Sequence, residues 1–330
     1  MRCLRVVRDG MVVLLVGFVI LSSLIFLLQR KLIYRNGAAS MLMVSPKYHH
    51  PHRVGLTNMS VETLHTSDGL ELLAWYAPPS PGMPTILCFN PNAGPIVAHS
   101  LAVAPLMALG QGVLTFAYRS YDGNEGNPHE EGLYRDGEAA LQFLRDHSIV
   151  GQQIILRGTS IGTAVATELA VRMASRNETA AALVLKAPFS NLPRLAKEKF
   201  WPLVWSEALV WDQYDSVSKI GRIGEIPLLI QHGTYDSMVP VQHAIDLHAA
   251  AKEPKTIRLF PAGHNDLDPL GGMHSEIAFL QSLKERNDTA DRAGKARDKE
   301  KEEEEDDKEA ERFTRADERM HSSDDTIERE

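Results

Sequence analysis

The chain has 330 residues, 44% hydrophobic and 24% charged, with 23 glycines and 18 prolines, which is the composition of a folded protein and excludes a collagen-like or fully disordered one. Its 2 cysteines, Cys3 and Cys88, exclude a disulfide scaffold, and no CxxC or Cys/His spacing marks a structural zinc. The formal charge of −8 is concentrated, because residues 284–330 hold 19 acidic and 12 basic side chains and residues 1–283 carry −1; without a basic stripe there, a nucleic-acid partner has no support.

After a short segment, residues 1–10, the run from Met11 to Leu28 has no charge and no proline. As a helix rising about 1.5 Å per residue it reaches roughly 27 Å, close to the hydrocarbon thickness of a bilayer. The run is longer than a signal-peptide core, and Arg30 and Lys31 separate it from the small-residue patch Gly37 to Ser40. It is therefore expected to be an uncleaved single-pass transmembrane anchor at 11–29, partnered by membrane lipid. Arg2, Arg5 and Arg8 before it balance Arg30, Lys31 and Arg35 after it, so positive charge does not set the orientation. N-x-S/T sequons at Asn58, Asn177 and Asn287 favour a lumenal or extracellular domain. Residues 30–60 are expected to form a stalk and entry segment. There His49, His50 and His52 flank a proline, lack the same-face spacing of a helical metal site, and are expected in an exposed loop.

Residues 61–285 alternate strand and helix patterns. Apolar, β-branched runs at Leu72 to Ala77, Thr85 to Phe89, Gly112 to Tyr118, Gln153 to Leu156, Ala181 to Leu185, Pro227 to Gln231 and Thr256 to Phe260 predict strands. Helical periodicity covers Glu131 to Asp146 and Thr163 to Ala174. The alternation predicts an α/β fold with a mostly parallel central sheet and helices on both faces, and places functional loops at the carboxyl ends of strands.

One strand end stands apart. Gly158-Thr159-Ser160-Ile161-Gly162 joins a strand to a helix, as a nucleophile elbow does: glycines two before and two after the serine permit a turn too tight for side chains. A serine hydroxyl needs a base, ordinarily a histidine oriented by a carboxylate. Asp236 follows the Pro227 to Gln231 strand, and His264 follows the last strand, so Ser160, Asp236 and His264 occur in the order serine, acid, histidine. Asp266 and Asp268 are weighed as substitute acids, but they share the loop of the histidine and point back to it awkwardly. Asp215 is expected to cap or pair locally, and His99, His232 and His243 to make structural hydrogen bonds. The backbone N–H of Ile161, directly after the serine, is one expected oxyanion donor.

These segments, with Thr66-Ser-Asp-Gly-Leu, Asn92-Ala-Gly94, Tyr118 to Gly126, Glu130 to Tyr134, Asp236-Ser-Met-Val-Pro240 and Gly263-His-Asn-Asp266, resemble the α/β-hydrolase-domain membrane serine hydrolases. The likeness covers roughly residues 46–283 and is greatest to the single-pass branch of that family. The resemblance implies the α/β-hydrolase fold, with Ser160 as nucleophile, Asp236 as acid and His264 as base. One departure is Asn90-Pro91 where the family has His-Gly. Proline has no N–H; the resemblance implies that the family's second oxyanion donor aligns with Asn92, whose N–H survives, and loss of that donor is the alternative.

Between the Ala181 and Pro227 strands, Trp201, Trp205 and Trp211 accompany Phe200 and Leu203. Such aromatic clusters are ordinarily core; the alternatives are an acyl-chain wall or a surface resting on lipid. Residues 286–330 are charged, with Phe313 as the one aromatic, and are expected to be disordered or an isolated helix, open to a protein partner. The expected activity is cleavage of an acyl ester or thioester with no cofactor and no metal. A peptide substrate, or a catalytically weak membrane scaffold prompted by Asn90-Pro91, are the alternatives.

Overall fold

In a computed structural model, residues 2–34 and 50–286 are described, with isolated positions 289, 292, 297, 299, 304 and 308 beyond them. The chain divides into two units, residues 1–276 and 277–330; in the second, residues 277–286 are helical. Most of the charged tail lies outside the described residues, as does His49.

Helix α1 (Arg2–Ile33) is followed by strands β1 (Ser60–His65), β2 (Glu71–Ala77) and β3 (Thr85–Phe89), helices α2 (Ile96–Ala102) and α3 (Ala104–Ala108), and β4 (Gly112–Phe116). Then come α4 (Glu130–Asp146), β5 (Ile154–Thr159), α5 (Ile161–Ser175), β6 (Ala182–Lys186), α6 (Leu192–Phe200), α7 (Ser216–Lys219), β7 (Leu228–Gly233), α8 (Gln242–Ala250) and β8 (Lys255–Phe260). Together the strands make one 8-stranded sheet in the order β1-β2-β4-β3-β5-β6-β7-β8. β1, β2 and β4 pair antiparallel, and every pairing from β4 through β8 is parallel.

Every residue of β3, β4, β6 and β7 is buried, as a sheet covered on both faces requires. Right-handed crossovers explain the covering: β3 to β4 steps toward β1, whereas β5 through β8 step the other way, so the two groups of connecting helices fall on opposite faces. The direction reverses beside β3 and β5, and open α/β sheets form crevices at the carboxyl side of such a switch.

Three differences from the expectations have physical causes. β1 is an edge strand with Leu64 as its one buried residue, so its apolar signal is thin. The stalk expected from residue 30 does not begin there: α1 continues to Ile33, and its last turn docks on the segment after α6. Arg30 donates to both Asp212 oxygens at 3.1 and 3.0 Å, Tyr34 Oη donates to Asp212 Oδ2 at 2.9 Å, and Gln29 Oε1 accepts the Trp211 N–H at 2.7 Å. The third concerns the tryptophans. Trp201 and Trp205 are 66% and 56% exposed, and Phe200 and Trp211 are also exposed. The core positions of that segment are taken by Leu192, Val204 and Val210, and Trp75 on β2 is a buried tryptophan. α1 itself, over Arg5–Ile33, is long and apolar enough to cross a membrane, with a mean hydropathy of 3.0.

Candidate active site

The turn from β5 to α5 places Ser160 at φ 53 and ψ −119, a left-handed conformation that is strained for a side-chain-bearing residue. The glycines around it permit this. A Cβ on Gly162 would lie 2.1 Å from Phe89 O, and one on Gly158 would lie 2.5 Å from Gly162 O. The end of β3 therefore presses directly on the first turn of α5, and the parallel register of Phe89 with Gly158 fixes that approach.

The three expected residues meet. His264 Nε2 is 3.1 Å from Ser160 Oγ, and His264 Nδ1 is 2.6 Å from Asp236 Oδ2. Asp236 is buried in a turn after β7, where Oδ1 accepts the N–H groups of Met238 and Val239, each at 2.8 Å. Burial alone would raise its pKa, but the His264 bond and those two amides outweigh it and hold the carboxyl below its ordinary value. An ionised Asp236 only accepts, so Nδ1 of His264 carries the hydrogen and Nε2 is left to accept from the Ser160 hydroxyl. That geometry can move a proton from hydroxyl to imidazole.

The competing acids take other roles. Asp268 pairs with Lys186, Asp266 is exposed, and Asp215 caps α7 by accepting the Ser218 N–H. Among the other histidines, buried His232 bonds Val239 O at 2.9 Å, and His99 bonds Gly94 O at 3.1 Å. A second serine–histidine–acid chain exists: Ser190 Oγ lies 2.8 Å from His243 Nδ1, and His243 Nε2 lies 3.0 Å from Glu198 Oε2. It is structural, because Nδ1 already accepts the Ser190 N–H at 3.1 Å and Ser190 is 1% exposed.

A cavity of about 170 Å³ is lined by Asn90, Pro91, Ser160, Lys186, His264 and Asp268, among others. Asn90 is fixed by bonds from Nδ2 to Thr115 Oγ1 at 3.1 Å and Phe116 O at 2.7 Å. Ile161 opens α5, where first-turn N–H groups have no intrahelical acceptor. The Asn92 side chain accepts from Tyr121 Oη at 2.7 Å and donates to Ile33 O, tying its loop to the end of α1. A separate apolar cavity of about 50 Å³ lies between α1 and the segment after α6, lined by Phe26, Phe200 and Leu203. Arg119 donates to Asp68 and Asp136 and is architectural.

Sequence reasoning missed the charged residues of the larger cavity. Arg157 and Lys186 lie toward the carboxyl ends of β5 and β6, where a charged residue looks like a strand terminus; the signal available was a charge directly after a run of apolar residues.

No family model matches the chain. The α/β hydrolase domain-containing protein WAV2 of Arabidopsis thaliana is 32% identical over 256 residues, which are 68% of this chain and 80% of that protein. The chain belongs to the α/β-hydrolase domain family. An uncharacterized protein of Mycobacterium tuberculosis is 38% identical over 213 residues, 63% of this chain and 73% of its own length. Among solved structures, an α/β-hydrolase from Vibrio vulnificus aligns with a TM-score of 0.60 at 17% identity, covering 76% of this chain and 88% of that one. An esterase from Pyrococcus furiosus gives 0.54 at 18% identity, covering 68% and 91%. These structural likenesses establish the α/β-hydrolase fold, and the expected fold is the observed one.

Proposed function

We propose that the protein is a membrane-attached serine hydrolase of the single-pass branch that cleaves acyl esters or thioesters. The observation that carries this reading is the unbroken hydrogen-bond chain from Ser160 through His264 to Asp236 at the wall of a cavity. Ser160 Oγ attacks the carbonyl carbon as its proton passes to His264 Nε2, and Asp236 stabilises the imidazolium. The N–H groups of Ile161 and Asn92 receive the oxyanion. Collapse expels the alcohol or thiol, which takes the proton from His264; water then enters by the same route and releases the acid.

At about 170 Å³, and with charged residues in its wall, the cavity suits a short or polar acyl group better than a long chain. A short peptide fits the same description and is the second reading. For attachment, α1 would span the bilayer, and exposed Trp201 and Trp205 would rest in its interface. Asn58 and Asn177 are exposed, as glycan acceptors on a lumenal domain must be, and Asn287 lies outside the described residues.

The test is fluorophosphonate labelling of the full chain in detergent micelles, beside Ser160→Ala and Asp236→Asn. Labelling that vanishes in Ser160→Ala, with ester turnover reduced roughly 10⁴-fold in Asp236→Asn, is expected. A folded wild type that takes no label points instead to the scaffold role.

A further inference from the structure

Beside Ser160, the carboxyl ends of β5 and β6 carry two buried cations. Thr159 pairs in register with Lys186, and alternate residues of a strand share a face, so Arg157, Thr159 and Lys186 project to the same side. All three line the Ser160 cavity. Arg157 Nε lies 2.8 Å from Glu276 Oε1, and Lys186 Nζ lies 3.2 Å from Glu276 Oε2. The Arg157, Lys186 and Glu276 side chains are 7%, 2% and 0% exposed. Burial alone would raise the pKa of Glu276, but Arg157 and Lys186 outweigh it and keep the carboxyl below its ordinary value. This buried trio therefore holds two positive charges against one negative.

The surplus charge is met by Asp268. Lys186 Nζ bonds Asp268 Oδ1, and Arg157 Nη2 is 3.8 Å from Asp268 Oδ2. Asp268 differs from the trio in being 33% exposed at its side chain and in lining the cavity. It also begins an irregular turn, Asp268–Gly272, in which Leu270 and Gly271 leave helical angles. A buried surplus cation must keep an anionic partner, yet here the partner sits at the cavity edge on a non-helical turn.

We propose that Arg157 and Lys186 form an anion subsite of the Ser160 cavity, at which a substrate carboxylate or phosphate replaces the Asp268 carboxylate. The subsite rests on Ser160 being the nucleophile, and it narrows the substrate to an ester or thioester with an anionic group a few bonds from the scissile carbonyl. Asp268 is the internal stand-in that keeps the cations matched between turnovers.

The experiment compares matched esters on the full chain in detergent micelles. One pair is the 4-methylumbelliferyl monoester of adipate against the hexanoate ester; the other is 1-butyrylglycerol 3-phosphate against 1-butyrylglycerol. Wild type is expected to favour the anionic member of at least one pair by about fivefold in kcat/KM, and the responding pair identifies the source of the anion. Asp268→Asn is expected to raise that preference about tenfold, chiefly through KM, because the competing carboxylate is gone. A preference at or below one in both pairs, unchanged in Asp268→Asn, overturns the subsite while leaving hydrolysis standing. Calorimetry on Ser160→Ala measures ester binding without turnover: tighter binding of an anionic member upholds the subsite, and equal or weaker binding of both overturns it. Absent fluorophosphonate labelling is a separate failure, that of the nucleophile.

Discussion

His99 sits in the wall of the Ser160 cavity, with its ring bonded to Gly94 O. Burial lowers its pKa from 6.5 to about 4, against the opposing pull of that carbonyl. Between those values the unfolded chain binds a proton that the folded protein does not. Its contribution is therefore complete above pH 6.5 and lost as pH falls toward 4. His232 and His243, also lowered by burial, act in the same direction. His99 is partly exposed, so its share is on the order of 2 kcal/mol. Thermal melting at pH 7 and pH 5 should show a smaller loss of stability in His99→Gln than in wild type; equal losses would remove His99 from the account. At this scale the sequence was most legible where chemistry imposes order. That Ser160, Asp236 and His264 meet is legible because an elbow and two strand-end loops constrain their positions. The Arg157, Lys186 and Glu276 trio is not legible in that way, because a charge near the end of an apolar strand does not name a partner 119 or 90 residues away.

The last turn of α1 behaves as part of the domain. Arg30, Tyr34 and the Glu130 N–H converge on Asp212, and Ile33 O accepts from the Asn92 side chain. A residue expected to supply an oxyanion N–H is thus held by the helix expected to anchor the chain. Asn92→Ala keeps the backbone N–H but removes the bonds to Tyr121 and Ile33. Its fluorophosphonate labelling rate is expected to fall about tenfold, roughly the effect of losing one good hydrogen bond. An unchanged rate would separate the loop from the helix. Elements with dense apolar runs were read correctly from sequence, since burial on both faces leaves an unmistakable composition. β1 and the Trp201 to Trp211 segment escaped for different reasons: an edge strand buries too little, and aromatic residues look like core even where Leu192, Val204 and Val210 take the inward positions.

On the scale of the whole molecule, attachment and orientation make a joint prediction. In a glycosylating host the protein should resist alkaline carbonate extraction, and N-glycosidase should increase its mobility by removing glycans at Asn58 and Asn177. Resistance without a mobility change would place the domain on the cytoplasmic side; extraction into the soluble fraction would make α1 a cleaved leader. Composition alone could assign the acidity to the tail, but it carries no sign of which side of a bilayer the sheet would occupy.

The docking of α1 through Asp212 has a consequence for how such an enzyme would meet its substrate. A hydrolase on a long flexible tether searches a volume whose radius is set by the linker. If α1 spans a bilayer as proposed, the last helical turn bonded into the domain would hold Ser160 at nearly a single height above the lipid headgroups. Turnover would then follow the surface density of a substrate more closely than its bulk concentration, and molecules held in another layer would go untouched whatever their chemistry.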